Sequence, residues 1–340
     1  MNAPFALTSL ADLKSLAKSL PAADKPSAEA ARARQNSLTK PPGSLGRLEE
    51  IAEFMAAWRG TDRPEIWRAQ ALVFAGNHGI CAQGVNPYPQ EVTVQMVANF
   101  QHGGAAINQL CRVNGADLNV IALDLDKPTG DFTAGPAMSE IECLDALNRG
   151  AAAVDEGADI LILGEMGIGN STIAAALTSA CFGGSVADWV GPGTGSDPAG
   201  IARKVDAIER GLKRHAGAKG DAGAILAALG GREPAAICGA VLAARAARIP
   251  VILDGFICSA AAAVLYAADP ALLDHCLVGH ASAEPGHRKL LSAIGKKPVL
   301  EFDMRLGEGS GAALALGIVR SALACHNGMA TFGEAGVSEA

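Results

Sequence analysis

From residue 69 onward, short apolar runs alternate with long alanine-rich segments, and no other feature of the chain constrains its fold so tightly. The short runs are Ala71–Ala75, Leu118–Leu123, Asp159–Leu163, Ala187–Val190, Pro250–Leu253, Leu277–His280 and Pro298–Phe302. They are apolar and often β-branched, as strands buried on both faces must be. Between them the spacing predicts helices at Glu91–Asn114, Ile141–Gly157, Ser171–Phe182, Asp197–His215, Pro234–Ala247, Gly255–Ala268 and Ser310–Cys325. Strand–helix alternation of this kind implies α/β architecture with a doubly wound, mostly parallel sheet and right-handed crossovers. The chain is 49% hydrophobic but only 4% aromatic, so Ala and Gly supply much of the buried volume. Small residues let helices lie close to a sheet, which favours a layered α/β protein over a β-sandwich.

The remainder reads as helical. Residues 6–35 have amphipathic helix spacing with a break at Leu20-Pro21. A turn-rich stretch from Thr39 to Gly46 follows, then a helix over Gly46–Trp58. These helices are expected to belong to a small domain. From about Asn327 the periodicity fades and a loose tail is expected. No internal repeat is present.

Net charge is −7 and no basic stripe appears, which argues against a nucleic-acid binder. The basic residues Arg203, Lys204, Arg210, Lys213 and Arg214 alternate with Asp206 and Glu209 at helical spacing, as on a solvated helix face. The eight cysteines are scattered without a Cys-x-x-Cys pair, so a zinc ribbon or a redox pair is not expected. Met1–Phe5 lacks the charged start and apolar core of a secretory leader. The longest apolar run, about Phe256 to Ala268, is shorter than the about 18–20 residues a membrane span needs. A reduced, cytoplasmic protein without membrane contact is expected.

Two glutamates sit alone inside glycine brackets, Gly164-Glu165-Met166-Gly167 and Gly307-Glu308-Gly309. Each follows an extended run and precedes a helix-like segment opening with small polar residues. Glycine permits a sharp turn and a close ligand approach. The pattern suggests two carboxylates at the carboxyl ends of parallel strands, where open α/β sheets bind ligands; the plainer reading is two solvated loop glutamates. Further glycine-rich turns follow the other strands: Gly76-Asn77-His78-Gly79, Gly191-Pro192-Gly193-Thr194-Gly195, Asp254-Gly255, and the loop from His280 to His287. Such turns present backbone N–H groups at helix starts, which suits a phosphorylated, nucleotide-sized ligand.

Other chemistries fit less well. Gly164–Thr172 has no Lys after its glycines, so it is not a P-loop, and Gly191–Gly195 lacks dinucleotide-fingerprint spacing. His78, His280 and His287 could form a metal set, but imidazoles in such loops more often bond to backbone; no metal and no cofactor are expected. A strand-end carboxylate is held ionised by helix dipoles, whereas burial and a second carboxylate raise its pKa. An ionised Glu could take a proton from a nucleophile or support a developing cation, and both roles suit attack on a sugar anomeric carbon.

The chain resembles the nicotinate-nucleotide–dimethylbenzimidazole phosphoribosyltransferases of cobalamin lower-ligand synthesis. The matching stretches are Leu38–Glu49, Phe74–Ile80, Gly164–Thr172, Leu229–Glu233, Ser282–His287 and Arg305–Gly311, in family order over most of the chain. One departure is Asn77, where many members carry Asp. The resemblance implies transfer of the 5-phosphoribosyl group from nicotinate mononucleotide to dimethylbenzimidazole with inversion at C1. It implies Glu308 as proton acceptor and Glu165 as a second active-site carboxylate. It also suggests Gly167, Lys204 and Ser282 at the phosphate, with Asp254 near the ribose or a neighbouring loop. Lys204 would then be the residue of its helix that turns inward, its plainer reading being a solvated lysine. Tyr88, Gln95, Met166 and Leu306 would line an apolar slot for the benzimidazole. By resemblance the protein is a homodimer with a Rossmann-like large domain, residues 69–319, and a small helical domain, residues 1–68 with about 320–340. Two alternatives remain at this stage: a nucleotide-sensing or carrier protein that kept the crevice without turnover, and an NAD-dependent oxidoreductase. The retained Glu308 and Glu165 weigh against the first. The missing dinucleotide fingerprint weighs against the second.

Overall fold

The computed structural model describes residues 5–338. The leader reading at Met1–Pro4 and the last two residues of the expected tail lie outside the described residues.

Among the described residues six strands form one parallel sheet: β1 Ala69–Ala75, β2 Ala116–Ala122, β3 Ile160–Met166, β4 Val251–Leu253, β5 Cys276–His280 and β6 Pro298–Leu300. Their order is β2-β1-β3-β4-β5-β6, and every neighbouring pair is parallel. Alternate residues of a strand face opposite sides of the sheet, and here they fall into two separate cores. Leu72, Phe74, Leu161, Leu163, Val251 and Leu253 join one. Ala71, Val73, Ile160, Ile162, Ile252 and Leu277 join the other. Burial on both faces explains why β1, β3, β4 and β5 read as apolar runs, while the edge strands β2 and β6 are partly exposed.

Helices cover both faces: α1 Lys25–Ser37, α2 Arg47–Arg59, α3 Glu91–Gln101, α4 Ala106–Asn114, α5 Glu140–Ala152, α6 Asn170–Phe182, α7 Pro198–Arg214, α8 Ala222–Leu229, α9 Arg232–Ala246, α10 Phe256–Ala268, α11 Pro285–Ala293, α12 Ser310–Gly328 and the short α13 Phe332–Ala335. Helices α5, α8, α9 and α10 supply the first core, and α2, α4 and α12 the second. The small-residue composition has a direct counterpart here. A Cβ on Gly150 of α5 would lie 1.9 Å from Ala236 O, and one on Gly239 of α9 would lie 1.8 Å from Leu147 O. Helices can approach this closely only where side chains are absent or minimal.

The structure corrects four expectations. Ala187–Val190 is not a strand: Val186–Asp188 forms a 3-10 turn. β3 pairs directly with β4, so the sheet has no seat for a strand between them. Trp189 instead anchors the segment to the helix layer, with its ring 6.1 Å from Phe182 and its Nε1 donating to Gly183 O. The helix expected over Glu91–Asn114 is two helices, broken at Gly103 (φ +78), where Asn108 Oδ1 accepts from Ala105 N at 3.0 Å and starts the second. The N-terminal amphipathic stretch contains 3-10 turns at Leu10–Lys14 and Leu16–Lys18, and α1 begins only where Asp24 caps Ser27 N. The tail is ordered over its described part: Leu38 bridges Thr331, and Arg34 donates to the carbonyls of His326, Asn327 and Met329.

Candidate active site

Strand order reverses at β1 and β3, the topological switch point at which α/β sheets form a ligand crevice. A cleft of about 820 Å³, counting its open mouth, lies at the carboxyl ends of the strands. Its walls come from the segments after β1, β3, β4, β5 and β6. Glu165 and Glu308 both face it. They are 5% and 6% exposed, so neither is a solvated loop residue.

The glycine brackets have a mutual explanation. Gly307, Glu308 and Gly309 are successive left-handed residues, with φ of +86°, +66° and +85°. Glycine adopts this region freely, whereas a residue with a Cβ is strained by roughly 1–2 kcal/mol. Glu308 is one of few described non-glycine residues with positive φ. Its turn rests on the other bracket: a Cβ on Gly164 would lie 2.6 Å from Glu308 O. The converse also holds, since a Cβ on Gly307 would lie 2.6 Å from Glu165 Oε1. Each bracket therefore makes room for the other's glutamate. Asp254, at the end of β4, fixes the turn by accepting from Gly309 N at 3.1 Å and Ala312 N at 2.9 Å.

Electrostatics at this end of the cleft is dominated by burial. Desolvation, followed by the negative field of Asp254, pushes the Glu308 carboxyl up to about 7. Its Oε2 is buried without a hydrogen-bond partner. Glu165 is raised well above the usual carboxylate range by burial and then by Glu233, Asp254 and Glu308, against a hydrogen bond from Asn170 Nδ2. Burial also raises Asp254, opposed by His280 and the backbone N–H groups. Desolvation and like charge thus outweigh the helix dipoles.

Beneath the cleft floor, His78 Nε2 and Glu233 Oε1 lie 2.5 Å apart and fully buried. Gly167 covers this pair, for a Cβ there would be 2.7 Å from Glu233 Oε1 and 2.8 Å from Gly76 O. His287 Nδ1 accepts from Ser282 N at 2.8 Å, and burial lowers its pKa to about 3, so the ring is neutral. Both nitrogens of His280 are buried without a hydrogen-bond partner, with Nε2 3.6 Å from Asp254 Oδ1. Among the described residues no group of three or more His, Cys, Asp or Glu is arranged to hold a metal ion.

At the far end of the cleft Lys204 turns inward from α7 and is 2% exposed. Its Nζ donates to Ser171 Oγ at 3.1 Å and Gly191 O at 3.2 Å. Burial lowers its pKa while Glu284 holds it up. Ser282 Oγ accepts from Glu284 N at 3.2 Å. Tyr88, Met166 and Leu306 line the mouth, Tyr88 and Leu306 half-exposed. Gln95 is not brought to the cleft: it is exposed on α3, outside the lining.

Several residues at the site were not singled out from the sequence. Asn170, Glu284 and Arg305 lie within recognisable loops but carried no assigned role. Glu233 follows Gly230-Gly231 at the start of α9, a glycine pair that could have marked it as packed beneath another loop.

A family model described as phosphoribosyltransferase matches residues 20–337. The chain is 67% identical over 332 residues to the nicotinate-nucleotide–dimethylbenzimidazole phosphoribosyltransferase of Rhodobacter capsulatus, covering 98% of this chain and 99% of that one. It is 60% identical over 331 residues to the enzyme of the same name from Novosphingobium aromaticivorans, covering 97% and 98%. A crystal structure of the Thermus thermophilus enzyme of that name superposes with a TM-score of 0.87 at 41% identity, covering 93% of this chain and all of the other.

Proposed function

The chain belongs to the nicotinate-nucleotide–dimethylbenzimidazole phosphoribosyltransferases, and from that membership we propose that it moves the 5-phosphoribosyl group of nicotinate mononucleotide to 5,6-dimethylbenzimidazole with Glu308 as proton acceptor. The products are α-ribazole 5′-phosphate and nicotinate. A ring nitrogen of the benzimidazole attacks C1 of the ribose as the bond from C1 to the nicotinate nitrogen breaks. That nitrogen is already cationic, so the leaving group needs no acid. The attacking ring becomes cationic and loses its other N–H proton to Glu308.

The observation that carries this reading is the buried, unpartnered Oε2 of Glu308 at the cleft, on a carboxyl whose pKa is near 7. A base of that strength is partly ionised at neutral pH and is matched to its task. Glu165 supports the cationic centre: a positive ring entering the cleft offsets the burial and the carboxylate repulsion that raise its pKa. Lys204, Ser282 and the Gly167 backbone receive the phosphate, and Tyr88, Met166 and Leu306 flank the benzimidazole. Asp254 acts on the ribose side through the turn it anchors. The test is nicotinate release that depends on added dimethylbenzimidazole. Turnover by Glu308→Gln at the wild-type rate would overturn the role of Glu308.

The assembly and domain readings belong here too. The domain reading, residues 69–319 large and residues 1–68 with about 320–340 small and helical, is supported by the ties of Arg34 to His326, Asn327 and Met329, although its boundary falls within α12, and α2 packs with α12 on one face of the sheet. A homodimer is supported by exposed apolar side chains: Trp67 and Val113 are 79% and 81% exposed, close to where Arg320 holds Ile66 O and Asn114 O. A monomeric mass in solution would rule it out. No described helix is long and apolar enough to cross a membrane, and the eight cysteines are free, in keeping with a reducing cytoplasm.

A further inference from the structure

The cation end of the cleft holds an acid that the proposed reaction does not use. Glu284, immediately before α11, is 5% exposed. Its Oε1 accepts the N–H of Gly193 at 2.8 Å, and its Oε2 is buried with no partner. The glycine loop presses against it, for a Cβ on Gly191 would lie 2.2 Å from Oε2. The Gly193 peptide is held from both sides, since its carbonyl accepts from Arg305 Nη1 at 3.0 Å. The same residue closes on the lysine: Gly193 has φ +59, and a Cβ there would meet Ser171 Oγ at 3.0 Å and Lys204 Nζ at 3.3 Å.

A carboxylate is an odd wall for a phosphate site. Two anions in one water-poor site repel strongly. For Lys204 itself the arrangement is favourable, because a buried ammonium without a nearby negative charge is costly. Glu284 supplies that charge to Lys204 through the field, while Lys204 spends its hydrogen bonds on Ser171 and Gly191. Glu284 also ties up the Gly193 N–H. A ligand carrying its own negative charge has a use for the same groups.

We propose that Glu284 is a latch that competes with the substrate's phosphate for the Gly193 N–H, its carboxylate releasing that donor when the phosphate binds. The inference rests on the reading of Lys204 and Ser282 as phosphate ligands. It makes Glu284 a specificity-determining residue: a phosphomonoester can displace the carboxylate, whereas an uncharged nucleoside offers Lys204 nothing in exchange.

Glu284→Gln keeps the size and an acceptor oxygen for Gly193 and removes the charge. Titration calorimetry with inorganic phosphate is the direct test. The variant is expected to bind phosphate at least ~5-fold more tightly than wild type, because like-charge repulsion is gone. Equal or weaker binding by the variant overturns the latch and makes Glu284 a support for the loop. If phosphate binds neither protein, the phosphate-site reading fails and takes the latch with it, a result distinct from binding that ignores the substitution. Should the variant not fold, the wild-type Gly193 amide resonance decides. It is expected to move with phosphate and stay still with dimethylbenzimidazole, and an amide unmoved by saturating phosphate sinks the idea.

Discussion

The two ends of the cleft bury charge in opposite ways. At one end Glu165 and Glu308 sit close to Asp254; burial raises both carboxyls, and the neighbouring acids raise them further. At the other end Lys204, Arg305 and Glu284 are of mixed sign: burial lowers the Lys204 pKa and raises that of Glu284, but here the opposite charges work against the shift. The difference teaches what each end can do. A crowd of acids stores protons and welcomes a cation. A mixed set offsets part of the burial cost of its charges and can exchange one anion for another. A substrate with a cationic ring and an anionic phosphate fits that polarity lengthwise.

The sharpest way to break the comparison is at the acid end. Glu308→Ala is expected to lower turnover by at least ~10² in a steady-state nicotinate-release assay, with mononucleotide binding retained. Glu165→Ala is expected to be milder, and the reverse ranking would exchange their roles. Next comes the cation end. Lys204→Ala is expected to raise KM for nicotinate mononucleotide at least ~10-fold, the scale of one lost charge-assisted hydrogen bond. The same change should leave use of the unphosphorylated riboside unaffected; a parallel loss there would mean that Lys204 shapes the loop rather than binding phosphate.

Smaller effects follow from protonation. Glu308 accepts a proton only when ionised, so kcat/KM is expected to rise with pH through about 7 and to lose that rise in Glu308→Gln. Stability should run the other way. The folded carboxyl keeps its proton to a higher pH than the unfolded one, so the native state loses stability as pH rises from the ordinary carboxylate range through about 7. Glu308→Gln should therefore melt higher than wild type at pH 8 and alike at pH 4. The smallest expected effect is purely structural. Gly307→Ala should cost about 1–2 kcal/mol by denaturant unfolding for the left-handed backbone alone, with more if Glu165 must move. An unchanged midpoint would mean that the brackets do not interlock.

The parallel sheet was legible because strands buried on both faces leave uninterrupted β-branched runs. Register and order were not, since nothing local in β1 says that it pairs with both β2 and β3. Ala187–Val190 misled because a short segment with buried Trp189 and Val190 looks alike whether it joins a sheet or, as here, anchors a turn, with Ala187 and Asp188 exposed. The break at Gly103 was visible in retrospect as Gly103-Gly104, yet the apolar spacing on both sides concealed it. Helix α11 starts at Pro285, inside the loop read from His280 to His287, although Pro285 suits a first helical turn. Within the site, the bracketed glutamates stood out because glycine at a tight approach leaves a mark in the sequence. Glu233 and Glu284 carry no mark of that strength, and their place emerges only when distant loops are folded together. Gln95 shows the opposite failure: a polar residue near the slot in sequence that faces solvent in space.

The interlocking brackets have a consequence for how activity arrives. Gly164 leaves room for the Glu308 peptide packed against it, and Gly307 leaves room for the carboxylate of Glu165. A nascent chain still short of its last strand could display the first acid but not brace it. Competence should therefore appear in a single step near the end of synthesis, and fragments ending before that turn should be inert however well their sheet has formed.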